Sequence, residues 1–263
     1  MKQRLVTLAN AAGVFAGLLV FWQLVLWIFR VPRYMLPSPW AVAQAVHDRF
    51  PSLLVSTGIT AEEAGGGLVA SILVGVIVAL LFAQSRWVRK MFYPYTILLQ
   101  TVPIVAIAPL ILMWVGSGTP AVALIAFIIS LAPIIANTTQ GLISVDENLV
   151  HLFIMHNASP AQRLFKLRLP HAVPSLFVGM RIASGIAVIG AITGELYAGS
   201  SHVGEGGLGY SILYASSQLQ TDYLFALVLA ATVLGFSFFF LVMFLEWYFL
   251  RRWHESARVP ETE

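Results

Sequence analysis

Residues 157–174 have the sequence NASPAQRLFKLRLPHAVP, a basic and polar island in a chain that is otherwise mostly apolar. Four apolar residues alternate here with three basic ones, and a Leu-Pro pair follows at Leu169-Pro170. A loop beside a membrane only has to be polar, whereas this one has the order of a short helix, a turn and a second helix. The pattern predicts a surface that docks onto a soluble partner, and hence a membrane subunit driven from outside the membrane.

The composition of the whole chain is that of a membrane protein. Of its 263 residues, 59% are hydrophobic and only 10% are charged, with a mean hydropathy of +0.84, whereas soluble domains carry roughly 25% charged residues. Apolar segments of about 20 residues recur, and each is long enough to cross a bilayer as a helix. The predicted fold class is therefore an all-α, polytopic membrane protein. The absence of cysteine from the sequence excludes disulfides, thiolate metal sites and cysteine nucleophiles.

About six membrane spans are predicted, with both termini in the cytoplasm. Basic residues concentrate on the cytoplasmic side of membrane proteins. With the N-terminus inside, only Arg30, Arg33 and Arg49 of the fifteen Lys and Arg residues remain outside, which leaves twelve inside. The first apolar run is interpreted as a retained span and not as a secretory signal, because no small-residue cleavage site follows it. The predicted spans are residues 11–29, 56–83, 92–115, 120–142, 176–199 and 223–250.

Within the polar island, Ser159 and Pro160 predict a helix start, because serine can cap a helix and proline suits its first position. About two turns of helix are expected to follow, over residues 161–169. The apolar side of this helix is predicted to consist of Leu164, Phe165 and Leu167.

Pro170 and Pro174 are expected to end that helix and to set the angle into the fifth span. On residue pattern alone, two interpretations of the helix remain open. It docks onto a soluble partner, or it lies on the membrane surface beside anionic lipid.

The carboxylate of Glu195 falls inside a predicted span, towards the outer end of the fifth. A charge at mid-bilayer costs about 2.5–3.5 kcal/mol on insertion scales, so Glu195 should face a cavity, a partner or the outer interface. It is either a pathway or gate residue, or it makes a structural hydrogen bond to a neighbouring helix or to Tyr197. Glu62 and Glu63, near the start of the second span, are expected to be solvated at the outer interface.

Other polar groups lie within the third and fourth spans, and such groups either bridge helices or contact a substrate. Prolines in the same two spans allow kinks. The pathway candidates, including the carboxylate just described, are Glu195, Gln100, Thr101, Asn137 and Tyr197.

Two patterns suggest chemistry that we exclude. The GEGGLG run at 204–209 matches a dinucleotide-binding fingerprint, but no strand precedes it. It is interpreted as an external segment, and Tyr210 and Tyr214 beyond it are candidates for contact with a partner that delivers substrate. The six histidines lack metal-ligand spacing, so no metal site is expected. No catalytic triad pattern, resident cofactor or nucleic-acid partner is predicted either.

The polar island resembles the coupling loop of ABC importer permeases, in which Glu-Ala-Ala is followed after three residues by Gly, and after nine more by Ile-x-Leu-Pro. Aligned on Leu169-Pro170, Leu167 takes the Ile position and Asn157 the Gly position. Asparagine readily adopts the left-handed conformation that glycine permits. His151 stands where the family has Glu. The coupling residues that the resemblance implies are His151, Asn157, Ala158, Ser159, Pro160, Arg163, Leu164, Phe165, Leu167, Leu169 and Pro170.

The resemblance extends over nearly the whole chain. Further motifs are similar to the nitrate, sulfonate, taurine and bicarbonate branch of these permeases, which also includes riboflavin and thiamin-precursor permeases. They are LPSP (36–39), TVPIVAIAPLILMWVGSG (101–118), LPHAVPSLFVGMRIASG (169–185) and GLGYSI (207–212). The implied architecture is a type I ABC importer transmembrane domain. Residues 1–55 would hold the first span and an external linker helix, and residues 56–263 a five-helix core with the cytoplasmic coupling loop at 143–175.

The same resemblance implies a homodimer in the bacterial inner membrane, with two ATPase subunits below and an extracytoplasmic substrate-binding protein above. ATP and Mg²⁺ would be bound by the ATPases, since this chain has no P-loop. The cargo would be a small anion such as a sulfonate or nitrate, or a small organic nutrient such as a vitamin precursor, moved by alternating access. The alternatives are an ATP-independent carrier or channel, and an integral membrane enzyme; the enzyme would need a cluster of His, Asp or Glu at one membrane face, which the sequence does not show.

Overall fold

The computed structural model describes the backbone of residues 2–198 and 206–251, and the side chains of those ranges apart from residues 2–9, 11 and 12. Every regular element in these ranges is helical. In chain order they are α1 (Lys2–Phe29), α2 (Pro39–Asp48), α3 (Phe50–Gln84), α4 (Arg86–Thr101), α5 (Ile104–Val115), α6 (Thr119–Ile143), α7 (Glu147–Met155), α8 (Pro160–Arg163), a π-helical turn (Leu164–Arg168), α9 (Leu169–Ala198), α10 (Leu208–Ser217) and α11 (Thr221–Leu250).

Four helices in the described ranges are long and apolar enough to cross a membrane. They are α3, α6, α11 and the continuous helix of 39 residues that α8, the π-helical turn and α9 form together. The pair α4 and α5 passes the same test jointly, and α1 carries the shorter apolar stretch Gly13–Phe29. These units follow the order of the predicted spans, and the chain is an all-α, multi-pass membrane protein.

The third predicted span is not one helix. α4 and α5 meet at an angle of 99°, because the chain is extended at Val102 and Pro103, where ψ is 121° and 103°. Proline disfavours the helical conformation of the residue before it and cannot donate its own backbone hydrogen bond. Pro109 and Pro133, in contrast, lie inside α5 and α6.

The second predicted span begins earlier than expected, because α3 starts at Phe50 and runs without a break through the three glycines at 65–67. The last of these allows close packing rather than starting the apolar run. A Cβ atom on Gly67 would lie 2.6 Å from the Cβ of Ala126 in α6. Small residues let membrane helices approach closely, so Gly67 fixes α3 against α6.

The central helix of the bundle is α6, which packs against α3 on one side and α9 on the other. Its contact with α9 is also close, since a Cβ atom on Gly190 would lie 3.0 Å from the Cα of Ala126. Small buried residues such as Ala64, Ala187 and Ser130 continue this packing. The three helices therefore form a tightly packed core that spans the molecule from its cytoplasmic to its outer end.

Candidate functional site

The turn between α7 and α8 is closed by Asn157. Its φ angle is 54°, in the left-handed region that asparagine tolerates better than most residues. The Asn157 N–H donates to the carbonyl of Ile154 and the Ala158 N–H to that of Phe153, both at 2.9 Å. This is the Schellman arrangement that terminates helices. The left-handed conformation predicted for Asn157 is confirmed.

The next helix starts where the sequence predicted. Ser159 Oγ accepts a hydrogen bond from the Gln162 N–H at 3.2 Å, and the Gln162 side chain accepts one from the Ser159 N–H at 2.8 Å. This reciprocal pair is a capping box, and Pro160 occupies the first turn. The Schellman turn and the capping box together hold α7 and α8 as a helical hairpin.

The prediction that Pro170 and Pro174 end this helix is wrong. The helix continues from Pro160 to Ala198, and a π-helical turn over Leu164–Arg168 immediately precedes the Leu169-Pro170 pair. In an α-helix a proline ring clashes with the carbonyl four residues earlier. The wider π turn accommodates Pro170, and the Leu169 N–H bonds back five residues, to Leu164.

The expected apolar side of the helix is divided between two environments. Leu164 and Leu169 pack against a cluster that includes Ala83 and Leu142, at the cytoplasmic ends of α3 and α6. Arg168 supports this contact by donating to the Ala83 carbonyl at 3.0 Å. The loop is thus fixed to the bundle from one side.

Phe165 points away from that cluster and is 66% exposed. Met155, at the end of α7, is 80% exposed, and His151 is exposed on the same helix. Between α7 and α8 runs a groove of about 350 Å³. We call it the loop groove, and its lining residues are Leu152, Phe153, His156, Ala158, Gln162 and Lys166.

At the opposite end of the continuous helix, Glu195 is buried, with 3% exposure. It accepts hydrogen bonds from Thr60 Oγ1 in α3, at 2.6 Å, and from the Gly209 N–H in the first turn of α10. Thr60 Oγ1 in turn accepts from the Leu208 N–H at 2.8 Å. We call Thr60, Glu195, Leu208 and Gly209 the outer polar cluster.

The sequence left two roles open for Glu195, a pathway residue or a structural hydrogen bond to a neighbouring helix. The outer polar cluster is the second arrangement, since the carboxylate joins neighbouring helices. It also explains the glycine before α10, because a Cβ atom on Gly207 would lie 2.0 Å from Glu195 Oε1. Negative charge at a helix N-terminus is stabilising. Whether Glu195 also touches a substrate stays a prediction.

The expectation that Glu63 is solvated is wrong. Its exposure is 4%, it lies beside the Glu195 carboxyl group, and its Oε2 atom has no hydrogen-bond partner. The reason is the early start of α3, which places residue 63 about four turns into the helix. Glu62 is exposed, as expected. The sequence spacing could have indicated the burial of Glu63, because Thr60, Glu63 and Gly67 share one face of the helix.

The remaining pathway candidates are dispersed. Gln100 and Thr101 are exposed at the bend between α4 and α5, and Tyr197 is 45% exposed near the end of α9. Asn137 is half-buried and donates to the Pro133 carbonyl of its own helix at 2.8 Å. Thr101 likewise bonds within its helix, to Leu98. Both hydrogen bonds lie within one helix and neither joins two helices, so the roles of these side chains stay predictions.

The external segment after α9 lies partly outside the described residues, including Gly204 and Glu205 of the GEGGLG run. The rest of the run enters α10, where Tyr210 and Tyr214 stack with ring centroids 6.4 Å apart. Among the described side chains, no group of three His, Cys, Asp or Glu residues is placed to hold a metal ion. His202 and His254 fall outside the described residues.

The chain matches the family model described as "Binding-protein-dependent transport system inner membrane component" over residues 71–255. It is 35% identical to a probable ABC transporter permease protein of Haemophilus influenzae, over 91% of this chain and 95% of the relative. It is 31% identical to the formylaminopyrimidine transport permease protein ThiX of Halalkalibacterium halodurans, over 84% and 86%. It is 32% identical to the riboflavin transport system permease protein RibX of Chloroflexus aurantiacus, over 91% and 88%.

Among solved structures, the chain is similar to one of the inward-facing MetNI methionine ABC transporter. The TM-score is 0.52 at 18% identity, and the match covers 80% of this chain and 98% of that one. At this identity the likeness establishes the fold alone.

Proposed function

The chain belongs to the family of binding-protein-dependent transport system inner membrane components, and we propose that it moves a small nutrient into the cytoplasm by ATP-driven alternating access. As an ABC importer permease subunit in the inner membrane, it is not itself an enzyme. The proposed assembly contains a second copy of this chain, two ATPase subunits and an extracytoplasmic substrate-binding protein. ATP and Mg²⁺ would be bound on the ATPase subunits.

One observation carries the mechanism: a single helix joins the loop groove to the outer polar cluster. The 39 residues from Pro160 to Ala198 are continuous and span about 58 Å at 1.5 Å per residue. Glu195 lies in its last turn and bonds both α3 and the start of α10. A displacement of the loop by an ATPase would therefore be transmitted along this helix to the outer end of the bundle.

The loop groove is the surface that we propose for the ATPase. Met155 and Phe165 expose large apolar side chains beside it, and well-packed aromatic and apolar anchors dominate the energy of most protein interfaces. The groove also carries Lys166 and His156, which supply donors at its edge. Attachment through Leu164 and Leu169 to α3 and α6 couples any docked partner to the membrane core.

The proposed cargo is a small nutrient, either a sulfonate-like or nitrate-like anion or a small organic molecule such as a vitamin precursor. Relatives named for formylaminopyrimidine and riboflavin transport favour the organic class. Relatives named for aliphatic sulfonates, bicarbonate and nitrate favour the anion class. Uptake assays with both classes on the assembled transporter would decide between them.

The docking surface is tested by recovering partners with the tagged chain from native membranes in mild detergent. The double variant Met155→Ala/Phe165→Ala should recover at least tenfold less ATPase, on the order of the loss of one or two interface anchors. Leu213→Ala is the control, because Leu213 is also a large exposed apolar residue, at 50% exposure, but lies on α10 at the outer end. Equal recovery with the double variant and the control would contradict docking at this groove.

A second experiment separates docking from a helix that lies in the membrane surface. The chain has no cysteine, so Phe165→Cys introduces a unique thiol. A water-soluble maleimide should label it in isolated permease and fail to label it in the assembled transporter. Failure to label the isolated permease would place Phe165 in lipid. Uptake that needs an ion gradient but no ATP would refute the ATP-driven mechanism.

A further inference from the structure

A basic pocket lies between α4 and α6 at the cytoplasmic end, away from the loop groove. Its volume is about 480 Å³. The polar residues that line it are Arg86, Arg89, Lys90, Tyr93, Thr139 and Gln140. No residue of the pocket belongs to the proposed docking surface or to the outer polar cluster.

The pocket concentrates positive charge without a neutralising carboxylate. Arg86, Arg89 and Lys90 are spaced i, i+3 and i+4, so they share one face of α4 and repel one another. Neither of the two ion pairs formed by described side chains involves them. The sequence contains no Asp or Glu between Glu63 and Asp146, so the whole α4–α6 region lacks an internal counter-charge.

Thr139 gives a second, independent indication of a ligand. It lines the pocket, is 1% exposed, and its Oγ1 atom has no hydrogen-bond partner. A threonine hydroxyl in a helix ordinarily donates to the carbonyl four residues earlier, as Thr193 and Thr232 do here at 2.8 Å. Buried polar groups are rarely left unpaired in proteins, and an acceptor oxygen in the pocket would satisfy this hydroxyl.

The surroundings of the pocket indicate where that oxygen comes from. Trp87, Met91 and Tyr95 follow one another at i, i+4 and i+8 along α4, and all three are exposed, Trp87 by 67%. Exposed aromatic residues at this level of a membrane protein are typical of the lipid interface. Ile143 adds an apolar wall to the pocket, so a charged site opens beside a surface suited to acyl chains.

We propose that this pocket binds the phosphate group of an anionic phospholipid of the inner leaflet. The three cations and the Thr139 hydroxyl surround the phosphate, and the acyl chains lie along Trp87 and its neighbours on α4. Basic pockets between membrane helices on the cytoplasmic side are suited to anionic head groups. A bound lipid would neutralise the α4 cluster and stabilise the contact of α4 with α6.

The test uses the full chain in detergent and native mass spectrometry, with phosphatidylglycerol, phosphatidylcholine and inorganic phosphate added separately. Phosphatidylglycerol should bind at least tenfold more tightly than phosphatidylcholine. The variant Arg86→Gln/Arg89→Gln/Lys90→Gln should bind it on the order of 100-fold more weakly, since each basic residue near the surface adds about fivefold. Arg251→Gln is the control, because Arg251 stacks on Trp247 outside the pocket, and it should bind normally.

Thr139→Val keeps the charge and the shape of the pocket but removes the hydroxyl, so it tests the site without disturbing the basic face of α4. It should weaken phosphatidylglycerol binding severalfold and leave phosphatidylcholine binding unchanged. Equal binding of the two lipids, or full binding by the triple variant, would overturn the proposal. Inorganic phosphate that binds as tightly as phosphatidylglycerol would overturn the lipid as the source of the anion.

Discussion

Replacing Glu195 by alanine tests whether the outer polar cluster holds the outer end of the bundle together. The change leaves the Gly209 N–H buried without an acceptor, at a cost of about 1–3 kcal/mol. Thr60 loses the same acceptor but can still donate to the Ser56 carbonyl at 3.1 Å. The hydrogen-bond part of the loss is therefore set mainly by one amide group, at about 2 kcal/mol.

Glu195→Gln is the matched control. Its amide oxygen can accept from Gly209 while its NH₂ group donates to Thr60 Oγ1, which turns its own proton towards Ser56. Both variants remove the carboxylate, and the alanine variant also removes buried side-chain atoms, so the difference between them contains the hydrogen bonds and the cavity that alanine leaves. Thermal unfolding in detergent should show the alanine variant about 4–8 °C below the glutamine variant, at 2–4 °C for each kcal/mol.

Coincident unfolding of the two variants would refute the reasoning, because the Gly209 hydrogen bond would then contribute nothing to stability. Uptake by the assembled transporter adds a second measurement on the same pair. A stable glutamine variant that transports normally assigns Glu195 a structural role. A stable glutamine variant that does not transport shows that the carboxylate itself is needed in the pathway.

Three further predictions concern local packing. Asn157→Gly should retain ATPase capture, whereas Asn157→Val should lower it, since a β-branched residue in the left-handed region costs about 1–2 kcal/mol or more; pull-down measures both. Ser159→Ala should destabilise the start of α8 by about 1 kcal/mol and raise amide exchange at Gln162 about fivefold, and unchanged exchange would contradict the capping box. Gly67→Ala should lower the unfolding temperature through overpacking of about 1–3 kcal/mol, and Gly66→Ala should not, since its Cβ would lie 3.9 Å from Ala123.

The features that the sequence predicted correctly depend on neighbours along the chain. Asn157 and Ser159 make their decisive hydrogen bonds within five residues, so the local pattern contains the information. The apolar spans can also be recognised from local sequence, because membrane thickness determines the length of each one. These features could be predicted before any tertiary contact was known.

The incorrect predictions depend on contacts or geometry beyond that range. The interface position predicted for Glu63 follows from too late a start for α3, and in the fold Glu63 lies beside Glu195, 132 residues away in the chain. Pro170 was expected to end a helix, but a π turn removes the clash that would have ended it. The different environments of Leu164, which is packed, and Phe165, which is exposed, likewise depend on α3 and α6, because these helices cover only one side of the loop.

The π-helical turn raises the question of whether the long helix transmits motion or absorbs it. π turns are points at which a helix can change its winding. A change of winding at Leu164–Arg168 would absorb a movement of the loop groove before it reached α9. However, Leu164 at the start of the turn and Leu169 just after it pack against the same cluster, which includes residues of α3 and α6, and Arg168 donates to the Ala83 carbonyl. Slipping at the turn would have to break both contacts. Under the proposed mechanism, a displacement of the loop would therefore move the cytoplasmic ends of α3, α6 and α9 together, and α3 and α9 are joined again at the outer end by the Thr60–Glu195 hydrogen bond.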